Sequence, residues 1–383
     1  MSYFYIPKNY SNLSTNIICT LQEDNNKSYS IANYYKKIED MKKKYISTWK
    51  IHKDKYFYYK KVFNLKKDNH KLAITRFDAI NKTFYVFWEL NNIFNFMDIY
   101  NNILVLNTFH FSKCQPGIIQ FLNHKRCNNT DYHLGIYGDE WRKNNEYLGI
   151  HKNIFFNEYV SYNFINHETL TYLTNNYIKK FDIITFLSND ECKELKTGIP
   201  NLMEKDVIMI KIIYSLIMLK RGGSLIFLIP ELIDQTYCEA LYFLSSCFNK
   251  VVITKPVLIE NTTNRKIVIC SEFIENYDTY ILTTIAGNLI NSIKLKSSPS
   301  VSLRLLDFQL PGFFLNKISE INVIMFQQTI DATLSVINLR SHNNLVEQLD
   351  KLDKKSIQKS MLWCIQNNFD YDQTLAEKIE EYI

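Results

Sequence analysis

The stretches KRGGSLIFLIPEL at 220–232 and CFNKVVITKPVLIENTTNRKIVIC at 247–270 decide the fold. Ser224 to Ile229 is an unbroken apolar run between Gly222-Gly223 and Pro230. Such a run suits a strand buried on both faces of a parallel sheet. Between the two stretches, Gln235 to Phe248 puts Tyr237, Leu241, Leu244 and Phe248 on one helical stripe. Val251–Thr254 and Lys266–Ser271 read as two more strands, separated by Lys255-Pro256 and a polar loop. Upstream, Met203 to Lys220 reads as a helix that Arg221-Gly222-Gly223 stops.

Working further out, Lys180 to Leu187 is a clear strand, and His133 to Tyr137 a second. Ile103 to Leu106 is a short buried-strand candidate, followed by the turn Cys114-Gln115-Pro116-Gly117 and a helix from Ile118 to Leu122. Strands and helices alternate, which predicts a doubly wound α/β sheet over residues 76–300. Residues 1–75 form a Lys/Tyr-rich N-terminal extension, with a helix in which Ile31, Tyr34, Tyr35, Ile38, Met41 and Tyr45 fall at three- and four-residue steps. Residues 301–383 are expected to be a helical C-terminal region, with Val323, Phe326, Ile330, Leu334 and Ile337 at the same spacing.

Composition narrows the class of protein. The 383 residues are 46% apolar and 22% charged, as in a globule with a sizeable core. There are 41 Asn and 48 Ile against 7 Ala and 9 Gly, a skew expected of an AT-rich genome such as that of a large DNA virus or a parasite. The net charge of +6 is mild, but residues 36–71 hold 13 Lys against 4 acids. The 8 Cys include no C-x-x-C pair, which argues against a structural zinc site and for reduced thiols in a cytoplasmic protein. His110, His124, His133 and His167 have no metal-ligand spacing and are expected to be structural or exposed, so no metal is expected. No targeting segment is visible. The longest apolar stretch, Val207–Leu219, contains Lys211 and is too short to span a bilayer, so no membrane association is expected.

The segment from the 203–220 helix to the 266–271 strand resembles the FtsJ-type RNA 2′-O-methyltransferases, which include cap methyltransferases. Upstream, KCQPGIIQFL at 113–122 resembles the family's Cys-x-x-Pro-Gly-Gly-Phe loop, HLGIY at 133–137 its Gly-Ile-Thr-Leu strand, and KFDIITFLSNDE at 180–191 its Asp-bearing strand. The likeness covers roughly residues 80–275. It implies a Rossmann-like S-adenosylmethionine-dependent methyltransferase fold: a mostly parallel sheet with an antiparallel closing hairpin, plus helical N- and C-terminal extensions. It also implies S-adenosylmethionine as cofactor, with Cys114, Pro116, Gly117 and Gly135 at the binding positions.

The family moves the ribose hydroxyl proton with a Lys–Asp–Lys–Glu tetrad, because that hydroxyl is a poor nucleophile. Here the Asp position is Leu187, the second Lys position is Leu228 and the Glu position is Arg265. The first Lys is expected near residues 92–95, where no Lys occurs. Ile118 stands where the loop has its second Gly, and its branched side chain weighs against close approach of the cofactor. These losses resemble the small, stimulatory subunit of poxvirus capping enzymes, with LIFLIP and CFNKVV in the corresponding places.

Three functions are therefore carried forward. The first is a methyltransferase-like pseudoenzyme, a non-catalytic partner of a capping enzyme or transcription subunit. The second is a divergent active cap 2′-O-methyltransferase, with Lys250, Lys255, Asp190, Glu191 and Glu260 as substitute groups. The third is a structural or virion protein that keeps only the fold. RNA contact is expected at Lys42, Lys43, Lys44, Trp49, Lys60 and Lys61, where basic and aromatic residues interleave. Lys113, Lys125 and Arg126 read as a solvated cluster beside the loop, and Asp182 as a surface strand residue.

Overall fold

The computed structural model describes residues 2–13, 16–23, 30–46, 57–63, 73–111, 116–127, 130–136, 154–157, 164–187, 201–230, 232–298, 301–339 and 345–374. An eight-stranded sheet is its frame. In chain order the strands are β1 (Ser2–Tyr5), β3 (Asn107–His110), β4 (Tyr132–Ile136), β5 (Ile154–Asn157), β6 (Phe181–Phe186), β7 (Leu219–Ile229), β8 (Phe248–Lys255) and β9 (Lys266–Phe273). Their spatial order is β1-β8-β9-β7-β6-β3-β4-β5. Strands β5, β4, β3, β6 and β7 are parallel; β9 is antiparallel to both β7 and β8. The β8–β9 hairpin expected from the sequence is present, with β9 inserted between β7 and β8. Strand order reverses between β3 and β6, so a crevice is expected at the carboxyl ends of these strands.

The reason β7 lies centrally is its composition. Ser224 through Ile229 are all buried, and β7 is bonded to β6 on one side and β9 on the other. Helix α5 (Glu204–Met218) is buried along nearly its whole length. It lies between the sheet, α4 (His167–Tyr177) and α7 (Thr279–Lys294). A helix apolar on every side needs such surroundings. Lys211 is enclosed with it, its ammonium 4.9 Å from the Phe164 ring centre and 5.8 Å from that of Phe186. On the opposite face of the sheet, α2 (Thr83–Phe94) and α3 (Pro116–Arg126) build a second core with Ile183, Ile226, Leu228 and Ile267.

The chain ends close over this frame. β1 adds an antiparallel edge strand against β8, and β2 (Ile17–Glu23) pairs with β10 (Val301–Leu306) in a separate two-stranded sheet. The N-terminal 75 residues thus supply one strand to each sheet, and the C-terminal region contributes a strand beside its helices. A bulge between Arg304 and Leu306 is held by Glu239 of α6 (Gln235–Cys247). Its carboxylate accepts from Leu305 N at 2.7 Å and Leu306 N at 3.2 Å, and pairs with Arg304 Nε at 2.5 Å. Helices α1 (Ser30–Lys44), α8 (Gly312–Asn338) and α9 (Leu345–Gln366) complete the described elements.

Three local expectations are corrected. Residues 103–106 are not the strand: Leu104 is 87% exposed, and β3 begins at Asn107. The strand hides polar Thr108 and His110, so hydrophobicity pointed to its neighbours. Gly222-Gly223 does not cap α5, which ends at Met218; both glycines lie within β7. Gly222 has φ +80°, and a Cβ on Gly223 would come within 3.0 Å of Asp182 O, so the pair serves a strand irregularity. Asp182 is not a surface residue. It is 5% exposed, accepts from Asn107 N at 2.8 Å, and takes Lys220 Nζ on both oxygens at 2.9 Å.

Candidate functional site

The carboxyl edge of β6, β7, β8 and β3 gathers the positions singled out from the sequence. Phe186 and Phe227 are paired in register, so Leu187 follows beside Leu228. Leu228 is 6% exposed and pairs with Ile267 across β9. Around them lie Ile183, Ile226, Val257 and Leu258 in one apolar cluster, with Leu187 packed against it. Arg265 is exposed at the end of the β8–β9 loop, just before β9. The three positions that the resemblance gives to the tetrad thus share one edge, with Leu228 buried, Leu187 half-buried beside it and the arginine exposed.

A carboxylate does reach the border of this cluster. Glu89 of α2 is 2% exposed and accepts from Val257 N at 2.8 Å, Leu258 N at 3.3 Å and Trp363 Nε1 at 3.3 Å. Burial pushes its carboxyl above the usual range, and these three donors pull it back. Its acceptor capacity is committed to tying α2, the loop after β8 and α9 together. Sequence reading missed Glu89 because a single acid on an apolar helix has no distinguishing spacing. Lys255 and Lys266, the lysines at this edge, lie on the other face of the sheet against α8: Lys255 Nζ donates to Thr329 Oγ1 at 3.2 Å, and Lys266 lies 5.6 Å from the Phe326 ring centre. Lys250, another substitute, is mostly exposed and paired with Glu272 at 2.8 Å. Asp190 and Glu191 lie outside the described residues.

Of the loop that the resemblance gives to a cofactor, the described residues begin at Pro116. Cys114 and Lys113 lie outside the described residues; Pro116 and Gly117 open α3 and are buried. A Cβ on Gly117 would come 2.0 Å from Asn81 Oδ1 and 2.9 Å from Phe84 N. The glycine is therefore needed for α3 to pack on the start of α2. Ile118 is fully buried in the core of that contact. Gly135 lies in β4, level with His110 of β3 and Phe156 of β5. On the described residues, Pro116, Gly117 and Ile118 are turned into the protein's own core. Gly117→Ala is expected to cost on the order of 1–3 kcal/mol, read as a lower urea midpoint.

Beside that turn runs a buried polar chain that spacing alone did not reveal. Thr185 Oγ1 is 2.8 Å from His110 Nδ1, His110 Nε2 is 2.8 Å from Thr108 Oγ1, and Thr108 Oγ1 is 2.8 Å from His133 Nδ1. His133 Nε2 ends the chain 3.0 Å from Asn123 Oδ1. With Asn123 Oδ1 as acceptor, His133 Nε2 must donate. With neutral imidazoles each earlier link follows in turn: Thr108 donates to His133, His110 Nε2 donates to Thr108, and Thr185 donates to His110. Burial and the neighbouring His133 hold His110 well below its usual value. The stability this group contributes is present above the unfolded value of about 6.5 and lost as pH falls through it. Between about pH 6.5 and 5, wild-type protein is expected to lose up to ~1.4 kcal/mol per pH unit more than His110→Gln, measured by urea unfolding at each pH.

The basic residues named for RNA separate into two places. Lys42, Lys43 and Lys44 end α1 at the β8–β9 loop, where Lys42 Nζ meets Glu39 at 2.8 Å and Thr262 O at 3.4 Å. Lys60 and Lys61 lie in the short turn 60–62 beside α9, and Lys60 is paired with Asp353 of that helix. Trp49 lies outside the described residues. The expected solvated cluster at 125–126 is corrected. Arg126 is bidentate on Asp131 at 2.6 and 3.0 Å, and also donates to Tyr100 O and Ile103 O. Lys125 lies 3.7 Å from the Trp88 ring centre. Among the described residues, no group of three or more His, Cys, Asp or Glu is placed to hold a metal, and no helix is long and apolar enough to cross a membrane. The six described cysteines are free thiols.

The strand order, with its single inserted antiparallel strand, defines a Rossmann-like methyltransferase fold. No known protein family and no curated protein matches the sequence. Among solved structures, the chain is similar to a ribosomal RNA methyltransferase from Plasmodium falciparum, with 16% identity over 51% of this chain and 98% of that one (TM-score 0.31). It is also similar to human methyltransferase-like protein 13 in complex with SAH, with 10% identity over 57% and 95% (TM-score 0.32). A third likeness is to the fibrillarin/Nop5p complex, with 11% identity over 44% and 73% (TM-score 0.30). At such scores these likenesses carry no argument about chemistry, and the fold rests on the topology of the sheet itself.

Proposed function

We propose that this chain is a methyltransferase-like pseudoenzyme, acting as a non-catalytic or stimulatory partner in viral mRNA capping or transcription. The observation that supports this reading most is the apolar meeting of Leu187, Leu228 and Ile267 at the carboxyl edge. Proton removal from a ribose hydroxyl needs a base within about 3 Å of it. Leucine supplies none, Glu89 is occupied by two backbone amides and an indole, and the lysines of the edge face the other side of the sheet. The packing of Gly117 and Ile118 into the α2–α3 contact supports a chain that works without S-adenosylmethionine.

The deciding experiment is methyl transfer from labelled S-adenosylmethionine to capped RNA by the purified chain. No incorporation above a no-protein blank is expected, and calorimetric titration with the cofactor should give no binding heat. Turnover carried by the chain alone would overturn the reading. The partner role is tested by adding the chain to a capping enzyme of the same source and measuring its rate, with an increase expected.

A further inference from the structure

β1 is the end strand of the large sheet, and its outer edge is open among the described residues. It pairs antiparallel with β8, from Ser2 opposite Lys255 to Tyr5 opposite Val252, with no bulge. Just beyond, Ile6 N donates to Val251 O at 2.9 Å. Alternation along an antiparallel strand then fixes the rest: Phe4, like Ile6, turns its N–H and C=O to β8, and Tyr3 and Tyr5 turn theirs away from it. Edge strands are commonly guarded by a lysine, a proline or a bulge; Ser2–Tyr5 has none of these. Apolar side chains flank both faces of the edge. Tyr3 and Tyr5 are 49% and 56% exposed, their ring centres are 6.1 Å apart, and that of Tyr3 lies 5.5 Å from that of Phe94 of α2. On the other face runs α8. Lys317 Nζ is 5.6 Å from the Phe4 ring centre, and Gln328 Nε2 donates to Ser2 Oγ at 2.7 Å. Lys317, Ile321, Ile324 and Gln328 fall on one helical stripe, so Ile324 lies beside β1, and it is 39% exposed. Lys317 is paired with Glu320 at 2.9 Å.

We propose that β1 is a dimerisation edge, which pairs antiparallel with β1 of a second copy of this chain about a two-fold axis at Phe4. Tyr3-Phe4-Tyr5 reads the same in both directions. A two-fold contact needs that property, because residue i meets j wherever j meets i. Tyr3 of each copy falls opposite Tyr5 of the other as a hydrogen-bonded pair, and the two Phe4 residues face each other as the non-bonded pair between them. Each outward N–H and C=O of Tyr3 and Tyr5 then meets its complement. The tyrosines of both copies line one face, where cross-strand aromatic pairs add to the ladder. The axis stands perpendicular to the sheet, so α8 of each copy stays on the Phe4 face. There Ile324 gains cover, and the Lys317–Glu320 pair meets its own copy, so each sign has a complement. A foreign strand would have to bring its own matching pattern; the open strand that this structure supplies is β1 itself. The proposal goes beyond the pseudoenzyme reading and does not depend on it.

The test is sedimentation equilibrium of the full chain over about 1–100 μM, a range suited to a contact built on a short strand. A species of twice the 45.5 kDa chain mass is expected to grow with concentration. Tyr5→Pro removes one outward N–H and leaves the bonds to β8 in place, because an edge strand tolerates proline where the N–H faces solvent. It should weaken self-association roughly tenfold or more. Tyr3→Lys/Tyr5→Lys places like charges opposite one another across the axis and should do the same. This second variant decides the matter where the proline variant loses the wild-type circular dichroism. Phe4→Cys reads the register. A residue on the axis faces its own copy, so mild oxidation should give a disulfide-linked dimer that wild type, with its native thiols, does not form. A chain that stays monomeric over this range, including one whose edge accepts a strand of another protein, overturns the proposal. So does a dimer whose affinity survives both edge variants, or one in which Phe4→Cys fails to cross-link.

Discussion

Lys296→Ala is expected to destabilise the protein by about 3–5 kcal/mol, which for many domains is a large share of the total. Lys296 Nζ sits 2.7 and 3.0 Å from the two oxygens of Asp206, and both side chains are fully buried. Asp206 occupies the first turn of α5, where it also accepts from Met203 N at 2.8 Å. Removing the ammonium leaves a carboxylate away from water with a backbone amide and the more distant Lys205 as its support. The helix it leaves behind is the most completely buried in the molecule's first core, so the loss should register globally and not as local fraying. Urea unfolding followed by far-UV circular dichroism measures it. The double variant Asp206→Asn/Lys296→Met should recover much of the loss, because it removes the stranded charge. If the double variant is no better than the single, the pair's role is packing rather than charge.

Trp363→Ala is expected to cost a similar amount, about 3–5 kcal/mol. Trp363 is 1% exposed on α9, with ring centres 5.7 Å from Phe369 and 6.3 Å from Tyr85 of α2. Its truncation opens a cavity and removes one of the three donors to Glu89. Trp363→Phe keeps most of the ring and loses the Nε1–Glu89 bond, so it should cost closer to ~1–2 kcal/mol. The difference between the two variants separates packing from the polar tie. Limited proteolysis should show α9 cleaved early in Trp363→Ala and protected in Trp363→Phe. Early cleavage in both would assign the anchoring of α9 to the Glu89 bond.

Much of the frame was legible because it is written in long apolar runs and helical stripes. Ser224–Ile229, Lys180–Leu187 and Gln235–Phe248 each kept their type in the structure, with ends moved by a few residues. The failures share a cause. β3 carries Thr108 and His110 where a strand of this kind is expected to be apolar, and their hydrogen bonds come from Thr185 and His133, distant in sequence. Arg126 and Asp182 looked solvated because their partners, Asp131 with two backbone carbonyls and Lys220 with Asn107 N, become neighbours only after the strands are ordered.

The same division holds at the site. The sequence by itself determined that the positions the resemblance gives to proton-transfer groups carry Leu187, Leu228 and Arg265, since residue identity and order suffice for that. It also determined the alternation that makes the doubly wound sheet, because apolar periodicity is a property of the local chain. Only the tertiary structure decided that the two leucines close against Ile267, that Gly117 serves the contact of two helices, and that Lys42, Lys255 and Lys266 bond one loop. Those facts depend on groups that the fold brings together, in the longest case Lys42 and Thr262, 220 residues apart and held at 3.4 Å. Burial, charge crowding and the space around a glycine are set by that packing, and no spacing rule along the chain encodes them.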